Sequence, residues 1–317
     1  MHVGMSELFR ERNDLDAARH HLLQSQELGA HAGMPQHPYR RRLAMARLQQ
    51  LDGDRGGALD MLDEAERLYN SDFSPDVRPI PAVRARLWVA HGRLDDALDW
   101  ARERGLSADD DLSYVREFEH ITLARVLLAR CTAERAERSI HQVIGLLERL
   151  LRAADEGNRT GSIIEILALQ ALAQHTRGDV RAGLASLERA LTLAEPEGYV
   201  RIFVDEGQPL AALLRAVVKQ GTAASHVRRL LVAVEDAGGS TRVDQDLIEP
   251  LSDRELEVLR LLGTDLDGPD IARHLGVSLH TVRSHTKRIY TKLDVNNRRA
   301  AVRRAEELDL MSRTRTR

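Results

Sequence analysis

Four stretches of this chain repeat one short device, and no other feature limits its fold as strongly. NDLDAARHHL (13–22), GDRGGALDMLDEA (53–65), GRLDDALDWARE (92–103) and GDVRAGLASLERA (178–190) each begin with Gly or Asn. A polar residue or two follows, and then Leu and Ala at helical spacing. The first three starts lie 40 and 39 residues apart, and the step from 92 to 178 is twice 43. A degenerate copy is expected at 132–147, around AERAERSIHQVIGLL. Self-similarity at such a period marks a solenoid of stacked helix pairs. Gly or Asn tolerates the left-handed backbone that ends one helix, and the polar residue starts the next. Ala lets the paired helices approach closely. IPAVRARLWVA, FEHITLARVLLA and IIEILALQALAQ supply apolar first helices. Such an array is expected to share one continuous core and to present a concave surface.

The period exceeds the 34 residues of a tetratricopeptide repeat, so the array is tetratricopeptide-like with longer helices or loops. Residues 1–235 are assigned to it. PEGYVRIFVDEG (196–207) alternates like a strand but is read as helix from its surroundings. VEDAGGSTRVDQD (234–246) is polar and holds Gly-Gly, which places a linker at 236–247 and a second domain at 248–317.

The 317 residues carry a formal net charge of −3, with 30% charged and 3% aromatic residues, a balance suited to helices packed through aliphatic side chains. One cysteine, Cys131, cannot close an internal disulfide and fits a reducing compartment. No apolar run is long enough for a membrane helix, and the start MHVGMSELFRERNDL lacks a signal peptide's apolar core. The expected location is the cytoplasm.

Charge is distributed unevenly. Residues 251–317 hold 14 Lys/Arg against 10 Asp/Glu, and between Arg273 and Arg304 nine bases face one acid, Asp294. A basic patch on an acidic body points to a polyanion-binding module. LSDRELEVLRLL (251–262) opens with a capping box, Ser252 and Glu255, and Leu251 and Leu256 at the staple positions. Asp267 can cap a second helix, in which Pro269 is tolerated in the first turn. Gly276 permits a reversal, and Ser278 can cap a third helix. A short helix, a turn of about three residues and a longer helix make a helix-turn-helix, whose second helix enters the major groove. Along that helix Leu279, Val282, Thr286, Ile289, Tyr290 and Leu293 share one side. His280, Arg283, Ser284, Lys287 and Thr291 share the other, flanked by Arg288 and Lys292. A solvated amphipathic face would mix signs, with acids before bases; here no acid lies between Asp270 and Asp294. Asn296 and Asn297 can cap a last helix, 298–310, whose stripe of Ala301, Val302, Ala305 and Leu308 reads equally as packing within its domain or as a dimer contact.

LSDRELEVLRLL, DIARHLGVSLHTVRSHTKRIYTKL and DVNNRRAAV closely resemble the LuxR-type DNA-binding domain over about 60 residues. Arg254-Glu255, Ile271-Ala272, Leu275, Val277-Ser278, Thr281-Val282, His285, Ile289, Lys292-Leu293 and Arg298 carry the match. The resemblance implies that Arg283, Ser284 and Lys287 face bases, that Ser278, His280, Thr281, Arg288 and Lys292 meet the DNA backbone, and that the last helix dimerises. Two departures stand out. Asp265-Leu266-Asp267-Gly268 occupies a loop where the family often has Gly-Leu-Ser/Thr-Asn, and Asp267 and Asp270 put negative charge where that helix start often meets phosphate, which would weaken affinity. Arg288 replaces a frequent Asn and adds charge.

GLSADDDLSYVREFEHITLARVLLA and ALTLAEPEGYVRIFVDEG resemble the helical-repeat sensor region of large MalT-like regulators, which begin with an ATPase module. No Gly-Lys dipeptide occurs, so no GxxxxGK[ST] phosphate loop is present, and the chain resembles the C-terminal portion of such a regulator.

The expected architecture is therefore all-α: a tetratricopeptide-like array, then a four-helix LuxR-type helix-turn-helix domain. The expected function is sequence-specific transcription regulation, with the array sensing a small-molecule or protein effector. The expected partners are double-stranded DNA and a second copy of the chain, with RNA polymerase open as a further one. A competing reading, a protein-interaction scaffold with a weak or vestigial DNA-binding end, draws on the acidic body and on Asp267 and Asp270. No enzyme is expected. His20, His21, His31 and His37 lack metal-ligand spacing, Asp109-Asp110-Asp111 reads as a loop, and GxSxG, HExxH and GxGxxG are missing. No cofactor or metal is called for.

Overall fold

The computed structural model describes residues 1–29, 37–69, 76–134, 137–219, 225–245, 253–264, 266–275, 279–293, 295 and 297–307. At 29, 137, 138, 238–245, 253, 254, 280, 283, 284, 288, 291, 306 and 307 the backbone alone is described. Among these residues all regular structure is helical. Contacts divide the chain into two units, Met1–Ala237 and Gly238–Arg317.

The first unit stacks helix pairs. These are α1 (His2–Glu11) with α2 (Leu15–Gly29), α3 (His37–Leu51) with α4 (Arg55–Leu68), α5 (Ile80–Ala90) with α6 (Leu94–Glu103), α7 (Glu117–Glu134) with α8 (Glu137–Glu156), and α9 (Thr160–Thr176) with α10 (Val180–Ala194). A single turn, α11 (Arg201–Val204), then leads to α12 (Gly207–Lys219) and α13 (Ser225–Gln245).

The repeated device is the turn inside each pair. Asn13 (φ 62°), Gly53 (78°), Gly92 (74°) and Gly178 (89°) all adopt the left-handed backbone the spacing predicts. In each case two N–H groups bond back to orphan carbonyls of the first helix. At the first turn Asp14 N–H reaches the Phe9 carbonyl (2.9 Å) and Asn13 N–H the Arg10 carbonyl (2.9 Å). The next residue then caps the second helix. Asp14, Asp54 and Asp179 accept from the N–H groups of Ala17, Gly57 and Ala182 at 2.9–3.1 Å. The same left-handed turn recurs at Asn158 (φ 51°), between α8 and α9, a position the repeat pattern does not announce. The turn of the degenerate copy, 135–136, lies outside the described residues. Five residues after each turn residue a small side chain is buried: Ala18, Ala58, Ala97 and Gly183.

Among the described residues of the first unit, the buried side chains group into three successive clusters, the second and third bridged by Phe118. Val3, Leu22 and Leu48 centre the first; Leu62, Val83 and Leu87 the second; the third runs from Ala82 to Val234 around α7, α9, α10 and α12. The segment 196–207 contains no strand. Val200, Phe203 and Val204 are buried at helical spacing, and helix forms at Arg201–Val204 and again from Gly207, where α12 begins. The boundary between the two units, Ala237 to Gly238, falls within the linker expected at 236–247, and the backbone there is helical as far as Gln245, since α13 continues through Gly238-Gly239. Each glycine costs a helix about 1 kcal/mol. Here the helix is already nucleated by turns anchored through the buried Val227, Leu230 and Val234, so each further residue adds a hydrogen bond without a new nucleation cost.

The second unit contains α14 (Asp253–Leu262), α15 (Gly268–Leu275), α16 (Leu279–Lys292) and α17 (Arg298–Glu307). α16 packs on α14 and α15, and α17 packs on α14. Val258, Leu259, Ile271, Val282, Ile289 and Leu293 centre its core.

Candidate nucleic-acid interface

The interface is built on α16. Val282, Ile289 and Leu293 are buried, and Leu279 and Tyr290 are partly buried against the same core, so the apolar side expected from the sequence faces inward. Burial pushes the Tyr290 phenol up. The Thr286 hydroxyl donates to the Val282 carbonyl within the helix (2.9 Å). Lys287, on the opposite side, is exposed, and Thr281 is half-buried. Arg283, Ser284, His280 and Arg288 lie on the backbone of α16, with side chains outside the described residues. Ser278 and Gly276 lie outside them altogether.

The helix that precedes α16 starts as expected. Asp267 Oδ1 accepts the Asp270 N–H at 2.8 Å, its carbonyl accepts the Ile271 N–H, and Pro269 sits in the first turn. The acids at this helix start are thus engaged: Asp267 caps, and Asp270 pairs with Arg273 at 2.7 Å. Asp265 is outside the described residues.

Lys292 is not turned outward. Its ammonium donates to Glu255 Oε2 at 2.9 Å, and the Glu255 side chain is only 3% exposed. Glu255 therefore ties α14 to the end of α16, and Lys292, expected at the DNA backbone, holds this internal ion pair. The signal was present in the sequence. Glu255 falls three, four and seven residues before Val258, Leu259 and Leu262, on the helix face that enters the core, and a carboxylate there demands a cation. The capping-box partner Ser252 lies outside the described residues.

Arg298 performs a second internal task. Its guanidinium donates to the Leu262 carbonyl (2.8 Å) and the Thr264 carbonyl (2.6 Å), satisfying the frayed end of α14. Asn297 caps α17 through its Oδ1, accepting the Ala300 N–H at 2.9 Å. Asn296 lies outside the described residues. On α17, Ala301 and Ala305 are fully buried in the unit's own core and Val302 packs against it. Ala301 and Ala305 cannot form the expected dimer contact, because their methyl groups already fill the space beside α14. Leu308 lies outside the described residues.

Among the described residues no helix is long and apolar enough to cross a membrane.

Comparison with known proteins agrees with both units. Residues 1–220 match the family model described as the MalT-like TPR region, and residues 249–305 match that of bacterial regulatory proteins of the luxR family. The chain is 26% identical over 283 residues to the HTH-type transcriptional regulator MalT of Klebsiella pneumoniae (strain 342), covering 81% of this chain and 30% of that protein. It is 28% identical over 163 residues to the protein of the same name from Vibrio cholerae serotype O1, covering 45% of this chain and 18% of the relative. The chain thus spans about a third or less of the length of these relatives. It belongs to the MalT-like TPR-region family, and it carries behind that region a regulatory domain of the luxR family.

Proposed function

We propose that the chain is a sequence-specific transcription regulator that inserts α16 into the DNA major groove. The observation that carries this reading is the two-sidedness of α16: Val282, Ile289 and Leu293 buried in the core, with Lys287 exposed on a side where the sequence places Arg283 and Ser284 and no acid. Arg283 and Lys287 donate to guanine O6 and N7, each good contact supplying about 1–3 kcal/mol of discrimination, and Ser284 lets the helix approach closely. Ser278, His280, Thr281 and Arg288 meet phosphates and make the affinity salt-dependent. Lys292 acts indirectly, by holding the end of α16 to Glu255. Two copies read two half-sites about one helical turn apart. The dimer contact then falls to α17 surfaces other than Ala301 and Ala305, and RNA polymerase is the downstream partner. The helical-repeat unit senses an effector and adjusts DNA binding, without catalysis, in the cytoplasm.

Gel retardation on a selected operator tests this. Arg283→Ala with Lys287→Ala should abolish specific binding while far-ultraviolet circular dichroism stays unchanged. Undiminished operator binding by the double variant would defeat the groove assignment.

A further inference from the structure

The repeat unit holds an open cavity of about 460 Å³, lined from α1, α3, α5, α7, α9 and the segment around α11. Its lining is unusually ionic. Six arginines face it against five carboxylates. Most are mutually engaged. Glu165 Oε1 accepts from Arg86 (2.7 Å) and Arg125 (2.9 Å), Arg125 also bonds Glu206, Arg159 holds Glu117, and Arg10 holds Asp205 at 2.6 Å.

The pairing leaves one arginine over. Arg47 is compensated from outside the lining, by Glu7 at 2.7 Å. Arg78 is exposed and, among the described residues, has no carboxylate within ion-pair reach; its guanidinium lies 5.7 Å from the Phe118 ring. Arg86 covers the same ring at 3.8 Å, and its second terminal nitrogen is buried with no hydrogen-bond partner, as is Nε of Arg125. Burial, and after it the field of Arg125, Arg47 and Arg78, outweighs Glu165 and lowers the Arg86 pKa to about 10. Burial also pushes the carboxyls of Glu11 and Glu206 up. An exposed guanidinium with no carboxylate in reach among the described residues, beside a second guanidinium over the same aromatic ring, is the chemistry that recognises an oxyanion, and guanidinium groups do so with two parallel hydrogen bonds.

We infer that this cavity binds a small organic anion, a carboxylate or a phosphate ester, whose charged group sits between Arg78 and Arg86 beside Phe118. The inference rests on the reading of the repeat unit as the sensor and names the class of its effector. The same cavity is walled by Glu11, whose carbonyl and Oε1 accept the N–H groups of Val200 (3.0 Å) and Ile202 (2.8 Å) and so fasten α1 to the far end of the array. An occupant therefore bears on the contact that closes the array.

Isothermal titration of the full chain at constant ionic strength tests this, with citrate and glycerol 3-phosphate as anionic probes and glycerol as the neutral control. Saturable binding of one anionic probe, and none of glycerol, is expected; which probe binds distinguishes carboxylate from phosphate. Arg78→Gln, at an exposed position without an ion pair among the described residues, should weaken that binding about tenfold or more, the scale of one charge-assisted hydrogen bond. Arg86→Lys, which keeps the charge and loses the planar fork, should weaken it as well. Arg283→Ala with Lys287→Ala should leave it unchanged. Failure of both anionic probes to bind, equal binding by Arg78→Gln, or loss of binding in the Arg283/Lys287 variant would overturn the assignment. Operator retardation by the parent chain is measured separately. Its absence with anion binding intact removes the regulator reading and leaves the cavity standing.

Discussion

The ammonium of Lys292 and the carboxylate of Glu255, 37 residues apart, meet at 2.9 Å across the seam between α16 and α14. The pair ties the end of α16 to α14. Lys292→Ala leaves a buried carboxylate short of its cationic donor, and the expected loss is about 2–3 kcal/mol. Lys292→Arg should recover part of it. Hydrogen exchange along α16 in the full chain measures both variants. An alanine variant with unchanged protection there, and weakened DNA retention only, would return Lys292 to the phosphate contacts.

Arg298 stands in a similar position, reaching back 34 and 36 residues to two carbonyls at the end of α14. Arg298→Ala orphans both, at about 1–3 kcal/mol for the buried acceptor. Arg298→Lys provides a charge without the planar fork and should fall between the two. Denaturant unfolding followed in the second unit gives the order parent, lysine, alanine; equal midpoints would show that water satisfies these carbonyls.

How much of this was legible beforehand depends on the range of the interaction. The turns at Asn13, Gly53, Gly92 and Gly178, the caps at Asp14, Asp179, Asp267 and Asn297, and the buried side of α16 are set within a few residues, so spacing and residue type were enough to place them. The ion pair of Glu255, the clamp of Arg298 and the crowd of charges around Arg86 and Arg125 join segments 34 to 81 residues apart, and only the folded chain brings them together. At Gly238-Gly239 composition marks the boundary between the units but not its backbone, which is helical because a helix anchored upstream passes through it. The small-residue stripe on α17 was ambiguous because core and interface ask for the same alanines.

Asp205 gives the array a pH dependence of definite sign. It lies between Arg10, at 2.6 Å, and Arg201. Burial alone would raise its carboxyl, but the two guanidinia outweigh burial and hold it below the ordinary 3.8. The unfolded chain therefore takes up this proton first. The stabilisation is complete above 3.8 and is lost as pH falls through the lowered value in the folded state. Asp205→Asn should melt below the parent at neutral pH, and the gap should narrow as pH falls below 3.8. Glu11 and Glu206 shift in the opposite direction, so the gap between the two proteins is the measurement, not the parent's curve alone. A gap that persists unchanged in acid would mean that Asp205 acts through hydrogen bonding without its charge.

Gly183 tests whether the repeated small residue is a requirement of packing. It stands five residues after the turn glycine 178, where the earlier repeats have the fully buried Ala18, Ala58 and Ala97. In those pairs a methyl group fits. Between α9 and α10 the helices approach more closely, and a Cβ added at Gly183 would meet the Ala171 backbone carbonyl at 3.0 Å and lie 3.7 Å from the Gln174 side chain. Backbone cannot turn aside as a side chain can. Two effects then oppose each other. Alanine favours a helix interior over glycine by about 1 kcal/mol, whereas overpacking a tight contact costs about 1–3 kcal/mol. The second should win, so Gly183→Ala is expected to lower the midpoint of the first unit despite its better helix propensity. Gly145 in α8 is the control, since a Cβ there meets nothing within 4 Å. Gly145→Ala should stabilise by propensity alone. If both variants stabilise equally in denaturant unfolding, the close approach of α9 and α10 is not what selects glycine at 183.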